Sequence, residues 1–302
     1  MRGRFAPSPT GALHLGNLRT ALVSWLQVRA EGGEWLVRME DLDRVTASPL
    51  HEQGQLADLA ALGMTSDVPV VRQSERFDVY RDAIATLRAQ GRVYECYCSR
   101  REIREASSAP HGDLPDGAYP GTCRELSAAR REELSAEGRR PALRLRSAGE
   151  RFVVHDLIAG EYEGGVDDVV LQRNDGVPAY NLAVVVDDAA QGVTDVVRGD
   201  DLLSSTPRQM LLQQLLGLPH PRYAHVPLVL GSDGQRLAKR HGAVTLPDLA
   251  ERGWSPPRVL ALLGASLHLC AEADDVRPDE LVARFDIARV PHQPWWCRDI
   301  GI

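Results

Sequence analysis

From residue 1 to about 95 the chain alternates short extended segments with amphipathic helical ones, each bounded by glycine or proline. That alternation predicts a parallel sheet with crossover helices, an α/β fold, because successive parallel strands need a covering connection between them. Residues 2–6 read as a strand, and Pro7-Ser8-Pro9-Thr10-Gly11 cannot be helical throughout. From His14 onward Leu18, Leu22, Trp25, Leu26 and Val28 fall mostly on one helical face, and Gly32-Gly33 stops the helix. A second strand over 35–39 ends at the acidic cluster Glu40, Asp41 and Asp43. Further helices are expected over 49–62 and 77–89, ended by Gly63 and Gly91.

The pattern changes at Cys96. Residues 96–165 hold three of the five cysteines, a Pro/Gly/Ser-rich stretch over 107–121, and the arginines Arg139, Arg140, Arg144, Arg146 and Arg151. This reads as an inserted subdomain that divides a catalytic domain into 1–95 and 166–230, followed by a mostly helical region over 231–302. Val169-Val170-Leu171, the turn Asn174-Asp175-Gly176 and the apolar run from Leu182 to Val186 predict strands and turns. A strand over 193–197 and a helix over 206–216 would complete the sheet. Helices are expected over 246–251, 256–267 and 279–285.

With 302 residues and 43% apolar side chains, the chain can bury a sizeable core, as two domains or as one with a large insert. No apolar run reaches the roughly 20 residues that span a bilayer. The first ten residues lack the basic-then-apolar layout of a secretion signal. Five cysteines cannot all pair within one chain, so reduced thiols and a cytoplasmic location are expected. A net charge of −7 argues against a general coat for nucleic acid but allows a local basic track. Among 35 basic residues Lys239 alone is lysine, a compact flexible ammonium among rigid guanidinium forks.

Two segments can carry chemistry. In the first, a strand end runs through Arg4-Phe5-Ala6-Pro7-Ser8-Pro9-Thr10-Gly11 into a helix that starts at His14-Leu15-Gly16-Asn17. Such a junction offers free N–H groups and a helix dipole to a phosphate, and Gly16 would let a flat base approach the backbone. The plain alternative is a loop glycine and a helix-start histidine with no ligand. In the second, Gly231 and Gly242 flank Arg236, Lys239 and Arg240, which suits either a loop closing on a polyphosphate or a solvated basic turn. No GxxxxGK[ST] segment exists, which excludes a P-loop.

Together, His14-Leu15-Gly16-Asn17 and Arg236-Leu237-Ala238-Lys239-Arg240 resemble the HIGH and KMSKS motifs of class I aminoacyl-tRNA synthetases. The lead-in from Arg4 to Gly11, the segment Arg38-Met39-Glu40-Asp41-Leu42-Asp43 and Tyr180-Asn181-Leu182-Ala183 look like the glutamyl branch of that class. Ordinary bacterial glutamyl-tRNA synthetases continue into a helical anticodon-binding domain, for which the stretch from Arg240 to Ile302 is too short. This layout resembles the glutamyl-queuosine tRNA(Asp) synthetase family. The resemblance implies a Rossmann-like parallel sheet with an inserted zinc-bearing subdomain and a helical C-terminal region. It implies activation of L-glutamate with ATP without tRNA, and transfer to queuosine in the anticodon arm of tRNA(Asp), by a monomer with no membrane partner.

By the same resemblance His14, Gly16, Asn17 and Lys239 hold ATP and its Mg²⁺, with His14 and Lys239 catalytic. Arg4, Ala6, Ser8, Glu40, Tyr180 and Arg198 hold glutamate: the arginines take carboxylates and Glu40 takes the ammonium. Cys96, Cys98, Tyr119 and Cys123 are the implied ligands of a structural Zn²⁺. Three thiolates suit a tetrahedral zinc and a phenolate is acceptable to it, although a small cluster of reduced thiols beside an ordinary tyrosine is the alternative. Cys270 and Cys297 have no ligand-spaced neighbours. The motif departs from its family in having arginine for the first lysine of KMSKS and alanine for the first serine. The arginines from 139 to 151 and the helices after Gly242 are candidate tRNA contacts, and the tail with Trp295-Trp296 is expected to dock on the body. Two other readings stay open: a tRNA-dependent glutamyl-tRNA synthetase lacking its anticodon domain, and a non-catalytic synthetase-like binding module.

Overall fold

The structure, a computed structural model, describes residues 1–99, 101–103, 118–231, 234, 235, 237 and 244–297. Its centre is built from strands whose residues are buried on both faces: β1 (Arg2–Phe5), β2 (Glu34–Met39), β9 (Asp195–Gly199) and β10 (Arg222–Val226). With β3 (Val71–Arg72), β6 (Arg151–Asp156) and β7 (Gly160–Gly165) they form a seven-stranded sheet in the order β3-β2-β1-β9-β10-β6-β7. Every neighbouring pair is parallel except the β6–β7 hairpin. The chain runs outward from β1 to β2 and β3 on one side, and later fills the other side with β9 and β10. The boundary between β1 and β9 is therefore a topological switch point, where such sheets open a crevice at the carboxyl ends of their strands.

Helix α1 (Leu15–Ala30) lies across β1, β2 and β9 and buries Leu15, Leu18, Leu22 and Leu26 completely. Full burial of each such side chain contributes about 1.5–3 kcal/mol. Its other side is covered by α8 (Pro256–Ala265) and α9 (Pro278–Val282). Between these layers Arg19 is fully buried, donating to Ser266 Oγ at 3.0 Å and to the Pro227 carbonyl at 3.0 Å. Burial lowers its pKa to about 10. Helices α2 (Pro49–Ala61) and α3 (Phe77–Ala89) follow the expected spans closely, and α6 (Thr206–Leu216) and α7 (Leu246–Glu251) match theirs.

Two expectations need correction. The run from Leu182 to Val186 is not a strand but the middle of helix α5 (Tyr180–Ala190). All five residues are buried, since α5 packs against both α3 and α6, and a helix buried all round shows no polar face by which periodicity can identify it. The span 96–165 assigned to the insert cuts across the strand pairing. β4 (Val93–Cys96), β5 (Ala142–Leu145) and β8 (Val170–Gln172) form a small antiparallel sheet that begins before 96 and ends after 165. The hairpin β6–β7, inside that span, extends the large sheet instead, because composition tracks charge rather than pairing. Helix α4 (Ala128–Ala136) packs near the small sheet through Leu134. Past α7, the last two helices stop short of the spans read from the sequence, α8 at Ala265 and α9 at Val282.

The tail does dock. β12 (Trp295–Trp296) pairs in parallel with β11 (Val229–Leu230), just past the end of β10. No helix among the described residues is long and apolar enough to cross a membrane.

Candidate active site

A cleft of about 520 Å³ opens at the switch point, above the carboxyl ends of β1, β9 and β10. Arg4, Ala6, Ser8, His14, Gly16, Asn17, Glu40, Tyr180 and Arg198 all line it, so nine positions spread over two hundred residues of sequence meet in one space. Lys239, with Arg236, Ala238 and Arg240, lies outside the described residues.

The floor loop is held by its neighbours. Gln55, buried on α2, donates from Nε2 to the carbonyls of Ser8 at 3.0 Å and Gly11 at 2.7 Å. Ser48 N–H donates to the Pro9 carbonyl and Glu40 N–H to the Pro7 carbonyl, at 3.0 and 2.9 Å. A proline-rich loop has few amide donors of its own, so its carbonyls are met from outside.

His14 caps α1. Its Nδ1 accepts from the N–H groups of Gly16 and Asn17 at 3.1 and 3.3 Å, while Asn17 Oδ1 accepts from His14 N–H at 3.2 Å. An accepting Nδ1 places the proton of the neutral ring on Nε2. The glycine at 16 has an internal reason that the sequence did not reveal. A Cβ there would stand 2.9 Å from the His14 ring and 3.6 Å from Val229. The helix start is also tied to the segment that follows Lys239, because Leu15 N–H donates to the Val244 carbonyl at 3.1 Å and His14 bridges to Thr245.

The charged wall is a buried network. Arg4 donates from Nε to Asp188 Oδ1 at 3.2 Å and from Nη1 to the Val197 carbonyl at 3.1 Å. Arg38 lies behind it, fully buried, and reaches Asp188 at 2.7 Å, Gln191 at 2.9 Å and Glu40 at 3.3 Å. Burial pushes the Glu40 carboxyl above its ordinary value, against the opposing pull of Arg38 and Arg4. Burial also raises Asp188, but there Arg4 and Arg38 prevail and hold it below the usual range. Arg198 does not pair with Asp200 or Asp201. It donates to His225 Nε2 at 3.0 Å, Gln209 Oε1 at 2.8 Å and Thr206 Oγ1 at 2.9 Å. Arg198 therefore presents no whole fork to the cleft and keeps one Nη1 N–H, whereas Arg4 keeps its two Nη2 N–H groups and the second on Nη1. Sequence reasoning missed Arg38, Asp188, Asp156, Gln209 and His225 as supports, since no local spacing links them to the residues they hold.

A second cavity of about 510 Å³ adjoins the first and shares Ser8, Glu40 and Tyr180 with it. Its far wall includes Cys96, Cys98 and Arg144. The sulfurs of Cys96, Cys98 and Cys123 lie within 4.8 Å of one another. Tyr119 Oη is 3.3 Å from Cys96 Sγ and 3.6 Å from Cys98 Sγ, and Cys98 Sγ is 3.4 Å from Cys123 Sγ. Tetrahedral zinc with thiolate ligands needs edges of roughly 3.8 Å, so these four donors fit it with small adjustments. Hydrogen bonds from Cys123 and Cys98 favour the Cys96 thiolate. The arginine run is largely engaged within the protein. Arg144 is buried with its guanidinium 3.7 Å from the Tyr119 ring centre, while Arg139 pairs with Glu102 and Arg146 with Glu125.

Residues 1–299 match the catalytic-domain family of class I tRNA synthetases for E and Q, that is, glutamate and glutamine. The chain is 61% identical to the glutamyl-Q tRNA(Asp) synthetase of Nocardia farcinica, over 99% of this chain and 94% of the relative. It is 50% identical to the protein of the same name from Symbiobacterium thermophilum, over 97% and 94%. A glutamate tRNA ligase from Elizabethkingia meningosepticum, solved in complex with its amino acid, superposes with a TM-score of 0.81 at 28% identity. That superposition covers 98% of this chain but 66% of the ligase.

Proposed function

The chain belongs to the class I tRNA synthetase family for glutamate and glutamine, and from that premise we propose that it activates L-glutamate with ATP in the absence of tRNA and transfers it to queuosine at the wobble position of tRNA(Asp). The observation that carries the reading is the convergence in one cleft of two guanidinium groups, a carboxylate and a helix N-terminus. These match the carboxylates, the ammonium and the phosphates of glutamate and ATP in charge.

In the first step an α-carboxylate oxygen of glutamate attacks the α-phosphorus, the bond to the bridging oxygen breaks, and pyrophosphate leaves with Mg²⁺. His14 stands beside the phosphates, the positive end of the α1 dipole favours their charge, and Lys239 follows the charge that develops on the leaving group. Arg4 and Arg198 hold glutamate carboxylates, Ala6 and Ser8 line the backbone side, Tyr180 adds a hydroxyl, and Glu40 takes the ammonium. In the second step an acceptor hydroxyl enters through the adjoining cavity, attacks the activated carbonyl, loses its proton and releases AMP. A Zn²⁺ held by Cys96, Cys98, Tyr119 and Cys123 would fix the wall of that cavity without taking part, since four protein ligands leave no open position. The enzyme would work as a monomer in the cytoplasm, on the anticodon arm.

Pyrophosphate exchange into ATP, measured with glutamate and no tRNA, tests the first step. Glutamate-dependent exchange is expected, and its absence at high protein would sink the reading. Exchange appearing only with added tRNA would identify a tRNA-dependent ligase. For the second step, tRNA(Asp) carrying queuosine should accept labelled glutamate and tRNA(Asp) lacking it should not.

A further inference from the structure

Arg198 is held by a line of buried side chains that crosses three neighbouring strands. His225, on β10 and completely buried, accepts the Arg198 Nε–H on its Nε2 at 3.0 Å. Its Nδ1 stands 2.5 Å from Asp156 Oδ2 on β6, and its backbone N–H donates to Asp156 Oδ1 at 3.0 Å. The register that lays β9, β10 and β6 side by side pairs His225 with Arg198 across the first boundary. Thr206 Oγ1 lies 3.3 Å from the same Nε2, and the Tyr223 ring stacks on the imidazole with centres 6.1 Å apart.

The chemistry permits one arrangement of protons. A guanidinium can only donate, so His225 Nε2 must be bare. The ring proton then sits on Nδ1, where it needs an acceptor, and Asp156 is that acceptor. With the tautomer fixed, the Arg198 guanidinium has its Nε on His225, one Nη1 N–H on Gln209, and its Nη2 N–H groups on Thr206 and, at 3.5 Å, on the Leu202 carbonyl. Its plane is set, and the second Nη1 N–H is the donor that remains.

We infer that His225, oriented by Asp156, is a positioning residue that aims the remaining Arg198 donor at a carboxylate of the glutamate substrate. The inference rests on the function proposed above and adds to it a determinant of amino-acid affinity outside the cleft lining. The competing explanation is that the histidine and aspartate merely join β10 to β6.

Glutamate binding by titration calorimetry and the KM values for glutamate and ATP separate the two. In His225→Leu the acceptor is lost, and glutamate should bind about tenfold or more weakly while the ATP KM stays within about twofold. In His225→Gln the side-chain oxygen can accept in place of Nε2, and glutamate affinity should return to within about threefold of the parent. Asp156→Asn tests the same point without touching the histidine: its amide favours a proton on Nε2, setting donor against donor, so it should resemble His225→Leu. It also carries the test if the leucine variant does not fold. Unchanged glutamate binding in the leucine or asparagine variant overturns the inference, as does equal loss in the leucine and glutamine variants or a parallel rise in both KM values. If the parent protein binds glutamate, those outcomes strike the positioning role alone. If it binds none, the proposed function falls and this role with it.

Discussion

The cleft and the cysteine cluster lie one cavity apart, yet the means that hold their polar groups differ. In the cleft the charged candidate groups and the floor loop have protein partners that position them before any ligand arrives: Asp188 for Arg4, Arg38 for Glu40, His225 for Arg198, and Gln55 for the loop. In the cluster the sulfur and phenol atoms have chiefly one another, inside a small apolar shell of Tyr94, Ile103 and Leu126. The first arrangement is preorganised by folding, which lowers the cost of binding. The second could hold a metal such as zinc, and with a cation at its centre its order would depend on that metal.

The strongest way to break this contrast is to remove a cluster donor. Cys123→Ser should abolish a one-to-one metal content measured by elemental analysis and lower stability by several kcal/mol, while glutamate affinity stays within about threefold. If glutamate binding collapses together with the metal, the two regions are one unit. Next in size, Lys239→Ala should reduce the rate of pyrophosphate exchange by about 10²–10³, since it removes charge that would stabilise the transition state. A rate within tenfold would remove Lys239 from the chemistry. Gln55→Ala leaves the Gly11 carbonyl without its side-chain donor and the Ser8 carbonyl with the Thr10 N–H alone, and should cost about 1–3 kcal/mol in denaturant unfolding, raising the KM for both substrates. A change in neither would mean that the loop is held by its prolines.

The smallest effect concerns protons. Burial raises the folded-state pKa of Glu40 above the ordinary carboxylate value of 4.5. The neutral form is thus favoured by folding, and ionising Glu40 costs stability as pH rises through the folded pKa. A substrate ammonium stabilises the charged form and pulls that pKa down. Between 4.5 and the folded pKa, glutamate binding should therefore release a proton and weaken as pH falls, and its calorimetric heat should vary with the ionisation heat of the buffer. A heat independent of buffer across that range would place the ammonium elsewhere.

How much of this was legible in the sequence follows from distance along the chain. Helix α3, which has a polar face, lies where the apolar spacing placed it, whereas α5, apolar on every side at 182–186, did not declare itself. The hairpin β6–β7 hid among charges because an edge hairpin alternates with solvent and resembles a polar insert. At the site, residues carried by compact segments, from Arg4 to Asn17 and around Glu40, were readable as candidates. Their supports were not. Arg38 meets Asp188 across 150 positions and His225 meets Asp156 across 69, and only the closure of the sheet brings them together. Gly16 is a case between the two, found for its motif but needed for the room taken by the His14 ring.

The pairing of β12 with β11 also has an optical consequence. Trp296 is 43% exposed, and its indole faces Gly234, where an added Cβ would lie 3.1 Å from the ring. The strand it rests on begins at Val229, which lines the cleft, and leads in sequence towards Lys239. A native fluorophore therefore stands beside the cleft wall, on the strand that leads in sequence towards Lys239. If the cleft takes nucleotide as proposed, the emission difference between the parent and Trp296→Phe should report its arrival in a stopped-flow trace with no label attached.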